Sequence, residues 1–118
     1  MAKTLFEART KQFSLDLIDL VERMPRNRAS DVVGRQLLRS GTSVGANYRE
    51  ANRAGSKADF LHKLGIATKE AAEAQYWLEL VSESKHLVSE ATAKLLLESD
   101  ELIAILTAMV RNTKRARE

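Results

Sequence analysis

The chain is 118 residues long, carries a net charge of +3 with 30% charged residues, and contains no cysteine, one proline and 5% aromatics. One modest core fits that length, and disulfides, thiolate metal sites and thiol redox chemistry are excluded. The opening MAKTLFEARTKQF lacks the apolar run of a secretory signal, and no stretch reaches the ~18 apolar residues of a membrane span. The expectation is a cytoplasmic, all-α protein, because alanine, leucine, glutamate, lysine and arginine dominate and favour helix.

A first helix is predicted over Thr4–Met24, with Phe6, Phe13, Leu17, Leu20 and Met24 on one stripe. Pro25 stops it, since proline lacks an amide donor and disfavours a helical residue before it. Arg26, Asn27 and Arg28 form the turn, and Ser30 is the expected N-cap of a second helix, with Asp31 favoured in its first turn. Val33, Leu37, Ser40, Gly41, Val44, Tyr48 and Ala51 share one face of that helix. A helical glycine costs about 0.5–1 kcal/mol relative to alanine, so Gly34, Gly41 and Gly45 need a benefit in return, and close approach of a neighbouring helix supplies one.

Gly55 ends the second helix, and Ser56 with Asp59 opens the third as a variant capping box. Phe60, Leu64, Ala67, Ala71, Ala74, Leu78 and Val81 make a regular stripe. A second strip carries Ile66, Glu70, Glu73, Trp77 and Leu80, so this helix is expected to meet something beyond its own bundle. The helix should fade near Ser84, with Lys85 to Val88 as a loop. Ser89 is the expected cap of a fourth helix reaching Thr113, whose broad apolar arc includes Leu95, Leu102, Leu106 and Met109. Lys114 to Glu118 are expected to fray. Short connections make the whole an antiparallel, up-down-up-down four-helix bundle occupying residues 1–118 as a single domain.

The charge is unevenly spread. Residues 1–55 hold 10 basic and 6 acidic groups, residues 56–104 hold 5 and 9, and residues 105–118 hold 4 and 1. Such polarity suits an anionic partner and suits self-assembly through unlike surfaces equally well.

Several spaced motifs run through the chain. The second helix reads Gln36, Leu37, Arg39, Ser43, Asn47, Glu50; the third reads Phe60, Lys63, Leu64, then Lys69, Glu70, Ala71, then Glu73, Tyr76, Trp77, Leu78; the fourth carries Leu102, Ile105 and Leu106. This pattern, over nearly the whole chain, resembles the small bacterial four-helix-bundle family of 23S rRNA intervening-sequence proteins, also described as S23 ribosomal protein-like. The resemblance implies a bundle that assembles into a ring-like homopentamer without established catalytic activity. Some members of that family are encoded within insertions in large-subunit ribosomal RNA genes. A related branch serves as the accessory protein of diversity-generating retroelements, where a basic pentamer binds nucleic acid and a reverse transcriptase.

Three groups of residues are candidates for function. Arg35, Arg39, Arg49 and Arg53 fall within about 40° of one line, taking 100° per residue. Thr42 and Ala46 lie low between them, and Arg26 and Arg28 extend the line. Such a strip could contact the phosphates of RNA or DNA. It is equally the pattern of a solvated face, or of arginines paired with acids on a neighbouring subunit, and no base-stacking aromatics accompany it. Asn47, Glu50, Glu70 and Glu73 could form a polar network, pairing with Arg39, or in principle hold a cation. The Glu-x-x-His signature of di-iron bundles is missing, so a hydrogen-bonded network is the better reading. Ile66, Trp77 and Leu80, with Tyr76, could form a ligand pocket, a core element or a subunit interface; the interface is the favoured reading, since tryptophan and tyrosine are enriched there.

With two histidines, His62 and His86, no cysteine and no nucleophile elbow, a nucleophilic triad is unsupported, and Asp59 with His62 is an ordinary helix-surface spacing. No catalytic residue, cofactor or metal is expected. The sequence thus reads as a homo-oligomeric adapter associated with nucleic acid, or alternatively as a ring that recruits a protein partner and never touches nucleic acid.

Overall fold

The computed structural model describes residues 2–87 and 90–116. Four helices span them: α1 Lys3–Glu22, α2 Arg28–Asn52, α3 Lys57–Glu83 and α4 Thr92–Arg115. They form an antiparallel rod of 52 × 21 × 20 Å in which each helix packs on its neighbours in chain order. The α2–α3 and α3–α4 seams are the most extensive, and α1 rests mainly on α2.

The caps explain where the helices begin. Asn27, not Ser30, caps α2: its side-chain oxygen accepts the Ser30 amide at 2.8 Å, while its Nδ2 donates to the His86 carbonyl. Asparagine three residues upstream caps an earlier orphan amide, that of Ser30 itself, and this register carries Ser30 inside the helix, where it is buried with its hydroxyl unpartnered among the described residues. Ser56 caps α3 as expected, accepting the Asp59 amide at 3.0 Å. α4 starts after Ala91, which supplies no side-chain cap; Ser89 lies outside the described residues. At the other end α4 continues through Lys114 and Arg115, where cations favour a helix C-terminus, rather than fraying at Lys114.

The core is a continuous column of the predicted stripes. Phe6, Phe13, Leu17 and Leu20 of α1, Leu37, Val44 and Tyr48 of α2, Leu64, Ala71 and Leu78 of α3, and Leu95, Leu102 and Leu106 of α4 are all buried. The Phe6 and Tyr48 rings meet edge to face, 4.7 Å between centroids. Glycine on α2 lets α1 sink against it. A Cβ at Gly41 would collide with Leu17 Cδ1, and one at Gly45 would lie 3.1 Å from Thr10 Oγ1 and 3.5 Å from the Thr10 carbonyl carbon. The helical cost of those glycines is therefore offset by packing of α1 side chains at Gly41 and of the α1 backbone as well at Gly45.

Polar latches tie the seams. Arg9 grips Glu98 through two bonds of 2.8 Å and reaches Glu101 at 2.7 Å, which holds α1 to α4 and raises the Arg9 pKa further above its already high value. Gln75 of α3 donates to Ser99 and Asp100 of α4. No helix of the described residues is long and apolar enough to cross a membrane.

Candidate nucleic-acid interface

The predicted strip lies along the outer side of α2, opposite the face that buries Leu37, Val44 and Tyr48. Arg35 and Arg53 are exposed and make no ion pair among the described residues. About 27 Å of helix separates them, at 1.5 Å per residue. The two arginines between them are drawn aside. Arg39 leans toward α3, donating to Gln36 on its own helix at 2.9 Å, to Glu70 at 3.4 Å and to Glu73. Arg49 leans toward α1, where Glu7 lies 3.8 Å away and also accepts from Asn52.

The polar groups between the arginines are committed inward. Thr42 donates to the Leu38 carbonyl, Ser43 to Arg39 and Ser40 to Gln36, all within α2. Their protons are therefore unavailable to an incoming phosphate. Contact with an anion would fall to the cationic side chains rather than to these hydroxyls. Thr42 and Ala46 stay exposed, and with Lys11 and Ser14 of α1 and with Arg49 they line a shallow hollow along the α1–α2 seam. Lys11 is a cation that sequence reasoning did not join to the strip. Only the approach of α1 over Gly45 places it there. The run 11, 14 against 42, 45, 46, 49 carries no signal in either helix taken alone. Arg35 and Arg26 both line a second hollow at the α1–α2 corner, and Glu22 and Asp31 share its wall without an ion pair to either among the described residues.

The expected polar cluster separates into three units. Glu70 and Glu73 form one with Arg39, and the same Glu73 accepts the Trp77 indole N–H at 2.9 Å. Glu50 pairs instead with Lys63 at 2.8 Å, and that hydrogen bond holds the Lys63 ammonium pKa above its ordinary value. Asn47 donates to the Ser43 carbonyl one turn back. Helical spacing brings these four residues to facing sides of α2 and α3, yet long basic side chains, which reach along the surface to a partner, divide the acids between them. No group of three or more metal-ligating side chains occurs among the described residues.

Ile66, Trp77 and Leu80 are each half-buried. Trp77 and Leu80 pack partly onto the bundle's own core, and Tyr76, 52% exposed, lies edge-on to Trp77. Among the described residues, the most exposed large apolar ones lie elsewhere, at Leu97 (66%) of α4 and Leu5 (64%) of α1. Sequence reasoning missed both, because each stands outside its helix's regular stripe.

Known proteins resemble the chain over almost its whole length. The family model described as 23S rRNA-intervening sequence protein matches residues 6–108. A crystal structure of a protein with unknown function from the S23 ribosomal protein family of Bacteroides thetaiotaomicron VPI-5482 superposes with a TM-score of 0.84 at 35% identity, covering 94% of this chain and 99% of that one. No match is found among curated proteins.

Proposed function

The chain belongs to the 23S rRNA-intervening sequence protein family, and from that premise we propose that it is a non-enzymatic, cytoplasmic, homo-oligomeric adapter that contacts nucleic acid through the outer side of α2. The observation that carries this reading is the pair of exposed guanidiniums of Arg35 and Arg53, without ion-pair partners among the described residues, with Lys11 added from α1. Arginine presents a planar fork that matches phosphate oxygens. In a ring, proposed here as a pentamer, the strip repeats around the axis, so that weak contacts multiply. The family's name ties its members to 23S rRNA sequence, which makes RNA the first nucleic acid to test.

The test is binding of a structured RNA and of duplex DNA across a salt series, with Arg35, Arg39, Arg49 and Arg53 intact or all changed to Gln. Affinity is expected to fall steeply with salt, and the variant to lose both affinity and slope. Every phosphate that the variant no longer neutralises should lower the slope by about 0.9 on duplex DNA and about 0.7 on single strands. A folded, assembled protein that binds neither at low salt would overturn the proposal.

A second reading has its own support. Arg39 and Arg49 are already engaged by Glu70, Glu73 and Glu7, which leaves only part of the strip for an outside anion. A ring that recruits a protein and never touches nucleic acid is consistent with that, and the same titration separates the two.

A further inference from the structure

Cations without an ion-pair partner among the described residues are not confined to α2. On the opposite side of the bundle, where the first half of α3 meets the last turns of α4, an open hollow of about 600 Å³ runs along the seam. Its floor is Gly65 and Thr68 of α3 with Thr107 and Val110 of α4. Gly65 is exposed, and a Cβ there would meet nothing within 4 Å, so this glycine opens space where Gly41 and Gly45 closed it. The Thr68 hydroxyl is spent on the Leu64 carbonyl at 2.8 Å, which leaves the floor without a free hydroxyl donor from that residue.

The rim has the opposite character. Lys69 stands on the α3 side, and Arg111, Lys114 and Arg115 on the α4 side. All four are exposed and make no ion pair among the described residues, and no acidic residue among them lines the hollow. The α4 contributors 107, 110, 111 and 114 follow one helical face, so floor and rim run parallel to the groove for two turns.

We propose that this α3–α4 groove docks an acidic amphipathic helix of a partner protein. Its apolar ridge would rest on the floor while carboxylates on either flank meet the cationic rim. Charge complementarity selects this occupant: four formal positive charges on the rim call for acids, and an apolar floor between the cations calls for apolar side chains between those acids. A nucleic acid matches less well, because the floor offers no aromatic ring on which a base could stack. A second copy of the chain matches less well too. Its exposed large apolar residues offer, on any one helix, no helical ridge longer than Leu15 and Ile18. The inference is independent of the α2 strip, since α1–α2 and α3–α4 are opposite seams of the bundle.

The test uses the full chain and a fluorescein-labelled helical peptide with leucines at i, i+4 and i+7 flanked by glutamates. A shuffled peptide of the same composition and a labelled hairpin RNA serve as comparisons. Two variants address floor and rim separately: Gly65→Leu, which fills open space, and Arg111→Glu with Lys114→Glu. Circular dichroism and light scattering check that fold and assembly are unchanged. The peptide is expected to bind saturably, and each variant to weaken it by about tenfold or more. The shuffled peptide should bind poorly, and a lysine-flanked version should prefer the charge-reversed variant. The four-arginine Gln variant should bind the acidic peptide as the native chain does, so the failure of either proposal can be told from the failure of the other.

Unchanged peptide binding by Gly65→Leu would overturn the inference, as would equal binding of the shuffled peptide. A change of oligomer size in Gly65→Leu would overturn it in favour of a second copy in the groove. Loss of RNA binding in that variant would overturn it in favour of nucleic acid.

Discussion

Glycine shows how one residue type takes opposite roles within a single bundle. Gly41 sits where Leu17 and Phe13 press against α2, and Gly65 faces open space. Gly65→Ala should therefore stabilise the protein by about 0.5–1 kcal/mol, since alanine is the better helix former and nothing is displaced. Gly41→Leu should destabilise it by about 1–3 kcal/mol through overpacking. Urea unfolding midpoints measure both, and equal shifts would contradict the packing described. Arg39 differs from Arg35 in the same way: one is engaged and the other has no ion pair among the described residues. Arg35→Gln should weaken RNA binding more than Arg39→Gln does, while Arg39→Gln alone should touch stability, by less than about 1 kcal/mol because the pair is half-exposed.

At the scale of the element, α2 carries the largest difference between its two sides. Its inner face places glycines and Tyr48 against α1, and its outer face carries the arginines. Burial is what raises the Tyr48 pKa above that of an ordinary phenol, with Asn52 opposing through a hydrogen bond and Glu7 adding to the rise. The folded state thus keeps a proton that the unfolded chain gives up. Stability should be unaffected by this group below the ordinary phenol range near pH 10 and should fall as pH rises through it. Thermal unfolding across that range measures the effect, and Tyr48→Phe should flatten the decline. Deeper in the same seam, Phe13→Ala should cost about 3–5 kcal/mol in urea unfolding, because the ring is fully buried between α1 and the glycine face.

At the scale of the molecule, charge and exposed apolar surface are arranged by side. The α1–α2 seam carries Lys11 beside the arginine strip, the α3–α4 seam carries the cationic groove, and Arg9 bridges the α1–α4 seam. In the proposed ring, assembly should depend on Trp77 more than on any arginine of α2, so Trp77→Ala should shift the protein toward smaller species in light scattering, where Arg53→Gln does not. An unchanged oligomer would move the interface away from α3, toward the exposed Leu97 and Leu5.

What the sequence determined by itself was the local grammar of this protein. Phe6 to Leu20, Leu64 to Val81 and Leu95 to Leu106 recur at the helical period, and a stripe of that period has to be buried, so four helices and their inward faces follow from the chain alone. Pro25 and Ser56 mark boundaries for equally local reasons, whereas α2 stops at Asn52 with Arg53 as its C-cap, short of Gly55, which has no positive φ. The choice between Asn27 and Ser30 as cap is not local either, since either can serve an α2 amide and only the loop position of Asn27 also reaches His86. Which charges stay free was decided by tertiary structure. The sequence already suggested Arg39 as a partner for the acid cluster, but only the packing of α3 on α2 gives it Glu70 and Glu73, assigns Glu50 to Lys63, and leaves Arg35 without an ion pair among the described residues. Lys11 joins the arginines, and Lys69 faces Arg111, only through helix pairing. The reason is range: helix period and caps act over a few residues, whereas ion pairs and grooves depend on the rotation and offset of one helix against the next, which packing at every seam sets together.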